Sequence, residues 1–277
     1  MIYAKHGNLV RFIYLALATG YYVVTLGGRL VGKTRIVLCY HGILPKQIER
    51  FKWQMGKISA QATFDKNKKG DSRHHNGLFS KVCITFDDAF ANLLDNALPV
   101  IKKYHIPATI FAVTGNLGDT PKWAISANHP EAGEKTMTSE QLVMLSKNPL
   151  IRIGSHTQTH PDLSKLPLDQ VLWELTESKK NLEQLLDKPI EDLALPHGAY
   201  NEEVLHIAQE VGYKRIYTLE PKLVEEGQKM GVLGRFSMSP DVWPIEFYLT
   251  CAGAYSWLFP FRRFVKWAGR IAKGSIR

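Results

Sequence analysis

His156 and His160 stand four residues apart in Ser155-His156-Thr157-Gln158-Thr159-His160, and Asp87 and Asp88 are adjacent in Thr85-Phe86-Asp87-Asp88. On a helical turn, two imidazoles at that spacing project from one face and can grip one ion. Neutral imidazole suits zinc and its transition-metal neighbours. No glutamate follows His156, so this is not the HExxH pattern, and a third ligand and a base must come from elsewhere. The aspartate pair offers both. Neighbours on a strand point opposite ways, so the chain must turn at a strand end if both carboxylates are to face one ion. A metal-held water beside a spare carboxylate is what a hydrolase needs to attack an amide or ester. Each segment also has a plainer reading. Asp88 could cap a helix starting near Ala89, and two histidines recur at this spacing by chance. A two-histidine, one-carboxylate set also serves non-haem iron oxygenases, which require no second aspartate beside the ligand.

Such residues need strands to carry them. Arg35–Tyr40, Lys81–Phe86, Thr109–Val113, Leu150–Gly154, Asp192–Leu195 and Arg215–Thr218 read as short strands. Between them, helices are predicted over Ala91–Lys103, Ser139–Leu145, Pro167–Leu186 and Glu202–Val211. Thr138 and Gln141 form a capping box for the second, and Asn201 caps the last, which stops before Gly212. Repeated strand–helix alternation implies parallel strands with crossover helices, and six or seven such units imply a barrel. His41, Asp87, Asp88, His156 and the Pro196–Gly198 segment each follow a predicted strand. In parallel barrels that edge is where active sites form.

The 277 residues suit one large domain with extensions, and the composition is that of a globular protein. Cys39, Cys83 and Cys251 have no close spacing. They read as buried free thiols, which fits a reducing compartment and argues against a disulfide framework. The formal net charge of +9 favours anionic surroundings. No nucleic-acid module accompanies it, and no nucleic-acid partner is expected. Phe12–Leu26 is uncharged and flanked by cations, near the short limit of a membrane span. Residues 257–277 place Phe261, Phe264, Val265, Ala268 and Ile271 on one stripe and arginines and lysines around it, the pattern of a basic amphipathic helix. The expected organisation is an apolar N-terminal helix over 1–33, a catalytic domain over 34–255 and a basic helix over 256–277. The expected setting is a membrane surface, with its cytoplasmic face favoured. Lys66–His75 reads as an exposed loop with His74 and His75 solvated.

The two segments resemble the first and second motifs of the polysaccharide deacetylase family, the NodB-homology carbohydrate esterases. Leu195-Pro196-His197-Gly198-Ala199-Tyr200 resembles the third. The likeness runs from about Arg35 to Tyr255 and is to the bacterial exopolysaccharide and cell-surface glycan deacetylases in particular. It implies a distorted (β/α)7-like barrel and metal-dependent removal of acetyl from an N-acetylated sugar of a cell-surface polysaccharide or its lipid-linked precursor. By position, Asp87 becomes the base, and Asp88, His156 and His160 the ligands of a divalent metal: zinc, with cobalt, nickel or iron as alternatives. Pro196, His197, Gly198 and Tyr200 would face the substrate, and Trp123 could stack on a sugar ring. Many members carry an arginine two residues before the third-motif proline to orient the base; here that residue is Ala194. Many take their general acid from a late histidine, and none follows His206. His41, in a Tyr-His segment after the first strand, resembles the substitute acid of some bacterial members. These departures leave open a carbohydrate-binding relative without turnover. The family's usual glycine after the aspartates is Ala89, a change expected to have no consequence.

Overall fold

A computed structural model describes residues 8–25, 34–60, 82–123, 131–225 and 227–261. The core is a nearly closed barrel of parallel strands. In chain order the strands are β1 (Thr34–Tyr40), β2 (Val82–Phe86), β3 (Ala108–Ala112), β4 (Ile151–Ser155), β5 (Asp192–Ala194), β6 (Arg215–Tyr217), β7 (Val224–Glu225), β8 (Gly231–Leu233) and β9 (Phe236–Ser237). The first six pair in sequence order, each parallel to the last. They fall within a residue of the predicted spans. β7 is a short antiparallel addition to the outer end of β1.

The last two strands were not anticipated, and they close the barrel. β8 runs parallel to β6, while β9, two residues further on, runs parallel to β1. One interrupted strand therefore extends the β6 edge with its first half and the β1 edge with its second, which brings the barrel close to closure. The interruption is Gly234–Arg235. A β-carbon on Gly234 would lie 2.6 Å from the Glu220 carbonyl and 2.7 Å from that of Lys222, so only glycine fits there.

Helices α1 (Asn8–Val24), α2 (Ile48–Ala60), α3 (Leu93–Asn96), α4 (Leu98–Tyr104), α5 (Ser139–Ser146), α6 (Leu168–Leu186), α7 (Glu202–Glu210) and α8 (Pro244–Cys251) surround the barrel. The single helix predicted over Ala91–Lys103 is two. Ala97 closes α3, and Pro99, which has no amide proton, sits in the first turn of α4. The predicted caps form: Thr138 and Gln141 bond reciprocally, and Asn201 accepts from Val204 N–H. The proposed loop with His74 and His75, and most of the predicted C-terminal helix, lie outside the described residues.

The interior is layered. Val37, Phe111, Ala194, Tyr217 and Leu233 form an apolar floor inside the strands. Above it are the strand ends that carry the candidate residues. Below it a cavity of about 760 Å³ opens at the foot of the barrel, lined by Arg35, Arg152 and Arg215 among others and by none of the candidate residues. Gly154 faces this floor, where an added β-carbon would sit 2.6 Å from the Phe111 ring and 3.0 Å from Asp192 Cβ. Gly154→Ala should therefore overpack the barrel and cost about 1–3 kcal/mol. Urea unfolding with an unchanged midpoint would show that this layer is not tightly packed.

Candidate active site

Asp87 and Asp88 follow β2 directly, and the chain turns there as the chemistry requires. Asp88 and Ala89 take φ of 67° and 49°, two consecutive left-handed residues. Asp87 N–H donates to Tyr40 O at 2.9 Å, and Met137 N–H donates to Ala89 O at 2.8 Å, which pins both flanks. The turn brings both carboxylates to one side. Ala89 is therefore not neutral. It is buried in a conformation that costs an L-residue about 1–2 kcal/mol and glycine nothing sterically, and this explains the glycine common in the family.

The histidine segment differs from the helical turn expected of it. After β4 the chain is irregular, with Thr157 at φ 68° and His160 at φ 64°. Instead of helical bonds, buried Glu174 on α6 accepts from Gln158 N–H at 2.8 Å, Thr159 N–H at 2.9 Å and the Thr159 hydroxyl. Thr157 Oγ1 accepts from His160 N–H at 3.0 Å. A carboxylate from a helix thus shapes the loop.

The result is a compact buried cluster. His156 Nε2 lies 3.6 Å and His160 Nε2 3.5 Å from Asp88 Oδ1. One ligand atom from each of the three residues falls within 4.8 Å of the others. His156 Nδ1–H donates to Ala194 O at 2.8 Å, which leaves the Nε2 lone pair facing Asp88. Burial holds both imidazoles below their ordinary pKa. Burial, then Asp87, then Glu131 drive the Asp88 carboxyl well above its own. Asp88 Oδ1 is buried and accepts no hydrogen bond among the described residues. Two neutral imidazoles aimed at an orphaned carboxylate oxygen form a donor set that fits a divalent cation.

Asp87 is treated in the opposite way. Burial is the largest single influence and would raise its pKa, but Arg235, His156 and His41 together outweigh it and the net shift is well down. Arg235 Nη1 donates to Asp87 Oδ1 at 2.6 Å and Nη2 to Oδ2 at 2.9 Å, a two-pronged pair. Arg235 is fully buried. It also donates to Thr85 Oγ1 and to Thr218 O, and its guanidinium lies 5.4 Å over the Phe111 ring. The Cys39 thiol, 3.3 Å away, donates to Asp87 Oδ2, and burial keeps that thiol protonated. Asp87 Oδ2 is also 3.9 Å from His156 Nε2. Arg235 was not singled out from sequence. Its only signal is a lone arginine between a glycine and a phenylalanine in an otherwise apolar run.

The remaining candidates divide. His41 follows β1 at the mouth, with Nε2 4.0 Å from Asp88 Oδ2 and about a third of its side chain exposed. The Trp123 ring stacks on His160 at 4.7 Å, and the His197 ring meets His160 edge-on at 4.9 Å. Buried Pro196 opens a turn after β5 in which His197 is exposed. Gly198 is needed for its backbone: φ is 64°, and a β-carbon would fall 2.5 Å from Leu219 N. Tyr200 commits its hydroxyl to Glu220 at 2.9 Å. The third segment thus brings His197 to the cluster, while Gly198 and Tyr200 brace the loop.

The sequence profile described as polysaccharide deacetylase matches residues 76–216, half of the chain. The chain belongs to the polysaccharide deacetylase family. It is 33% identical to YxkH of Bacillus subtilis over 161 residues, 58% of this chain and 52% of that protein. It is 28% identical to the poly-β-1,6-N-acetyl-D-glucosamine N-deacetylase of Staphylococcus aureus over 175 residues, 60% of this chain and 57% of that protein. The chain thus spans little more than half the length of these curated relatives. Among solved structures, the Streptococcus pyogenes deacetylase PplD, determined in complex with acetate, shares the fold. Its TM-score is 0.61 at 22% identity, covering 79% of this chain and 98% of that one. Within the family pattern, the guanidinium expected before the third-motif proline comes instead from the strand that closes the barrel.

Replacing Ala89 by glycine should relieve the left-handed strain at the aspartate turn and stabilise the protein by about 1 kcal/mol. A lower midpoint for Ala89→Gly in chemical denaturation would contradict that reading of the turn.

Proposed function

We propose that this polysaccharide deacetylase is an active N-deacetylase that removes acetyl from N-acetylglucosamine residues of a bacterial cell-surface polysaccharide. The observation that carries this reading is the buried Asp88–His156–His160 cluster with an Arg235-held carboxylate, Asp87, alongside. The name of the Staphylococcus aureus relative supports a β-1,6-linked polymer as substrate. A polymer still attached to a lipid carrier is the form we favour, with the enzyme at the cytoplasmic face of the bacterial inner membrane. The apolar N-terminal helix and the positive charge balance support that setting.

Asp88, His156 and His160 would hold a divalent cation, with zinc favoured by the imidazole and carboxylate donors. Bound there, it would supply Lewis acidity, lowering the pKa of a water and polarising the acetamide carbonyl. Asp87 fits the base role because it is ionised and rigid. Arg235 occupies both of its oxygens from below, which fixes the carboxylate plane, and holds it deprotonated at neutral pH. A carboxylate pulled down this far is a weak base, so it suits a water already made acidic. Asp87 takes a proton as the water oxygen bonds to the carbonyl carbon. When the C–N bond then breaks, the nitrogen must gain a proton. His41, with Nε2 4.0 Å from Asp88 Oδ2, would deliver it. Burial keeps His41 neutral at rest, so the proton it gives to nitrogen is one it first takes from solvent, to which about a third of its side chain is open, as negative charge builds on the tetrahedral carbon's oxygen. Trp123 and His197, ranged on His160, form the wall on which a pyranose ring would lie.

The competing reading, a binding relative without turnover, drew on Ala194 and on the lack of a late histidine. Arg235 supplies the guanidinium that Ala194 lacks, which removes the first ground.

Acetate release from β-1,6-linked N-acetylglucosamine oligomers, with zinc or cobalt added, tests the proposal. Asp87→Asn should retain the cation and lose at least about 10²-fold in kcat, whereas His156→Ala should lose cation and activity together. Activity near wild type in Asp87→Asn would refute the base assignment. Arg235→Met should raise the pKa of Asp87. Because the base works only when ionised, activity is lost as pH falls through that pKa, so the acid limb of the pH–rate profile should move to higher pH. An unmoved limb would mean that Arg235 does not set the base.

A further inference from the structure

α1 is built the wrong way round for a helix that merely covers a barrel. Its inner side is anchored. Arg11 donates to both carboxylate oxygens of buried Glu246 on α8 and lies 3.9 Å over the Trp243 ring. Ala18 is fully buried, and Tyr14 stacks on Trp257. Arg11 is the only charged residue in the helix, and it is turned inward. The outer side should then be polar. Instead Leu9, Ile13, Leu17 and Val24 form an outward stripe, 74%, 51%, 52% and 81% exposed. Phe12, Ile245 on α8 and Phe261 add further exposed apolar surface.

We propose that this outward stripe of α1 is an in-plane anchor for a lipid surface of negative charge, with the helix lying in the headgroup layer while docked on the barrel. This deepens the membrane setting proposed above and rests on it. Three observations select the occupant. First, cations flank the stripe in the sequence: Lys5 precedes the helix, Arg29 and Lys33 follow it, and Arg262, Arg263 and Lys266 follow Phe261. Apolar side chains between cationic flanks match an anionic headgroup layer. Second, the same cations and the net charge of +9 would oppose a second copy of this chain on the stripe. Third, the helix does not suit a spanning role. Seventeen residues reach about 25 Å, short of the ~30 Å hydrocarbon core. No helix among the described residues is long and apolar enough to cross a membrane.

The test is co-sedimentation of the 277-residue chain with vesicles of phosphatidylcholine, with and without phosphatidylglycerol. The wild type should sediment with the phosphatidylglycerol vesicles and be partly released by salt. Ile13→Asp/Leu17→Asp should lower partitioning at least tenfold. Leu168→Asp/Leu172→Asp, on the equally exposed apolar side of α6, should leave it unchanged. Ile13→Ser/Leu17→Ser gives the same reading in milder form should the charged pair disturb folding. Equal partitioning of wild type and the Ile13/Leu17 variants would overturn the anchor. So would a wild-type dimer in vesicle-free solution that these variants dissociate, since the stripe would then belong to a second copy. Deacetylation of a soluble oligomer, measured in parallel, should be the same in all these variants. Its absence alongside intact lipid binding would sink the catalytic reading and leave the anchor standing.

Discussion

The fully buried ion pair between Asp87 and Arg235 is the constraint around which this barrel is organised. Removing two opposite charges from water is costly unless each is well bonded. Here every group is used: both carboxylate oxygens meet the guanidinium, Cys39 adds a third donor, and Arg235 also reaches Thr85 and Thr218. Phe111 and Tyr217 lie beneath the guanidinium and exclude water from below. The pair separates the two aspartates chemically although they are neighbours in sequence. Asp87 is held ionised by its arginine, while Asp88, with no such partner, is left to the imidazoles. Two carboxylates with divergent environments can take two roles.

The same pair ties the proposed base to barrel closure. Arg235 sits at the break between β8 and β9, where the chain leaves the β6 edge and joins the β1 edge. A barrel left open there would lose the guanidinium as well as two strand pairings. The family's more usual solution, an arginine next to the third motif, would come from β5. Ala194 instead leaves that part of the floor small. The same chemistry is thus met from a different strand, which is why a motif-by-motif reading finds an arginine missing when the site has one.

Much of this was legible in the sequence because it is local. Six strands and their order follow from apolar runs and turn residues, and the residues placed after each run do gather at one barrel edge. The Asp88–His156–His160 cluster was legible because residue type and order suffice to nominate it as a candidate ligand set. What was missed depends on distant contacts. The His156–His160 loop is shaped by Glu174 on a helix, so the spacing suggested a helical turn that does not form. The strain at Ala89 is invisible without its φ. Arg235 meets Asp87 across 148 positions, and its local signal, one arginine in an apolar run, does not name its partner. The bond from the Tyr200 hydroxyl to Glu220 is likewise not visible in the motif that nominated Tyr200.

The central claim is that one cation belongs to Asp88, His156 and His160 while Asp87 stays free for proton transfer. Anomalous diffraction from zinc-soaked crystals tests it most directly. The account predicts a single strong peak at zinc-bonding distance, about 2.0–2.2 Å, from His156 Nε2, His160 Nε2 and an Asp88 oxygen, with Asp87 still paired to Arg235. A peak that takes Asp87 into its coordination, or one sited elsewhere with this cluster empty, would contradict it.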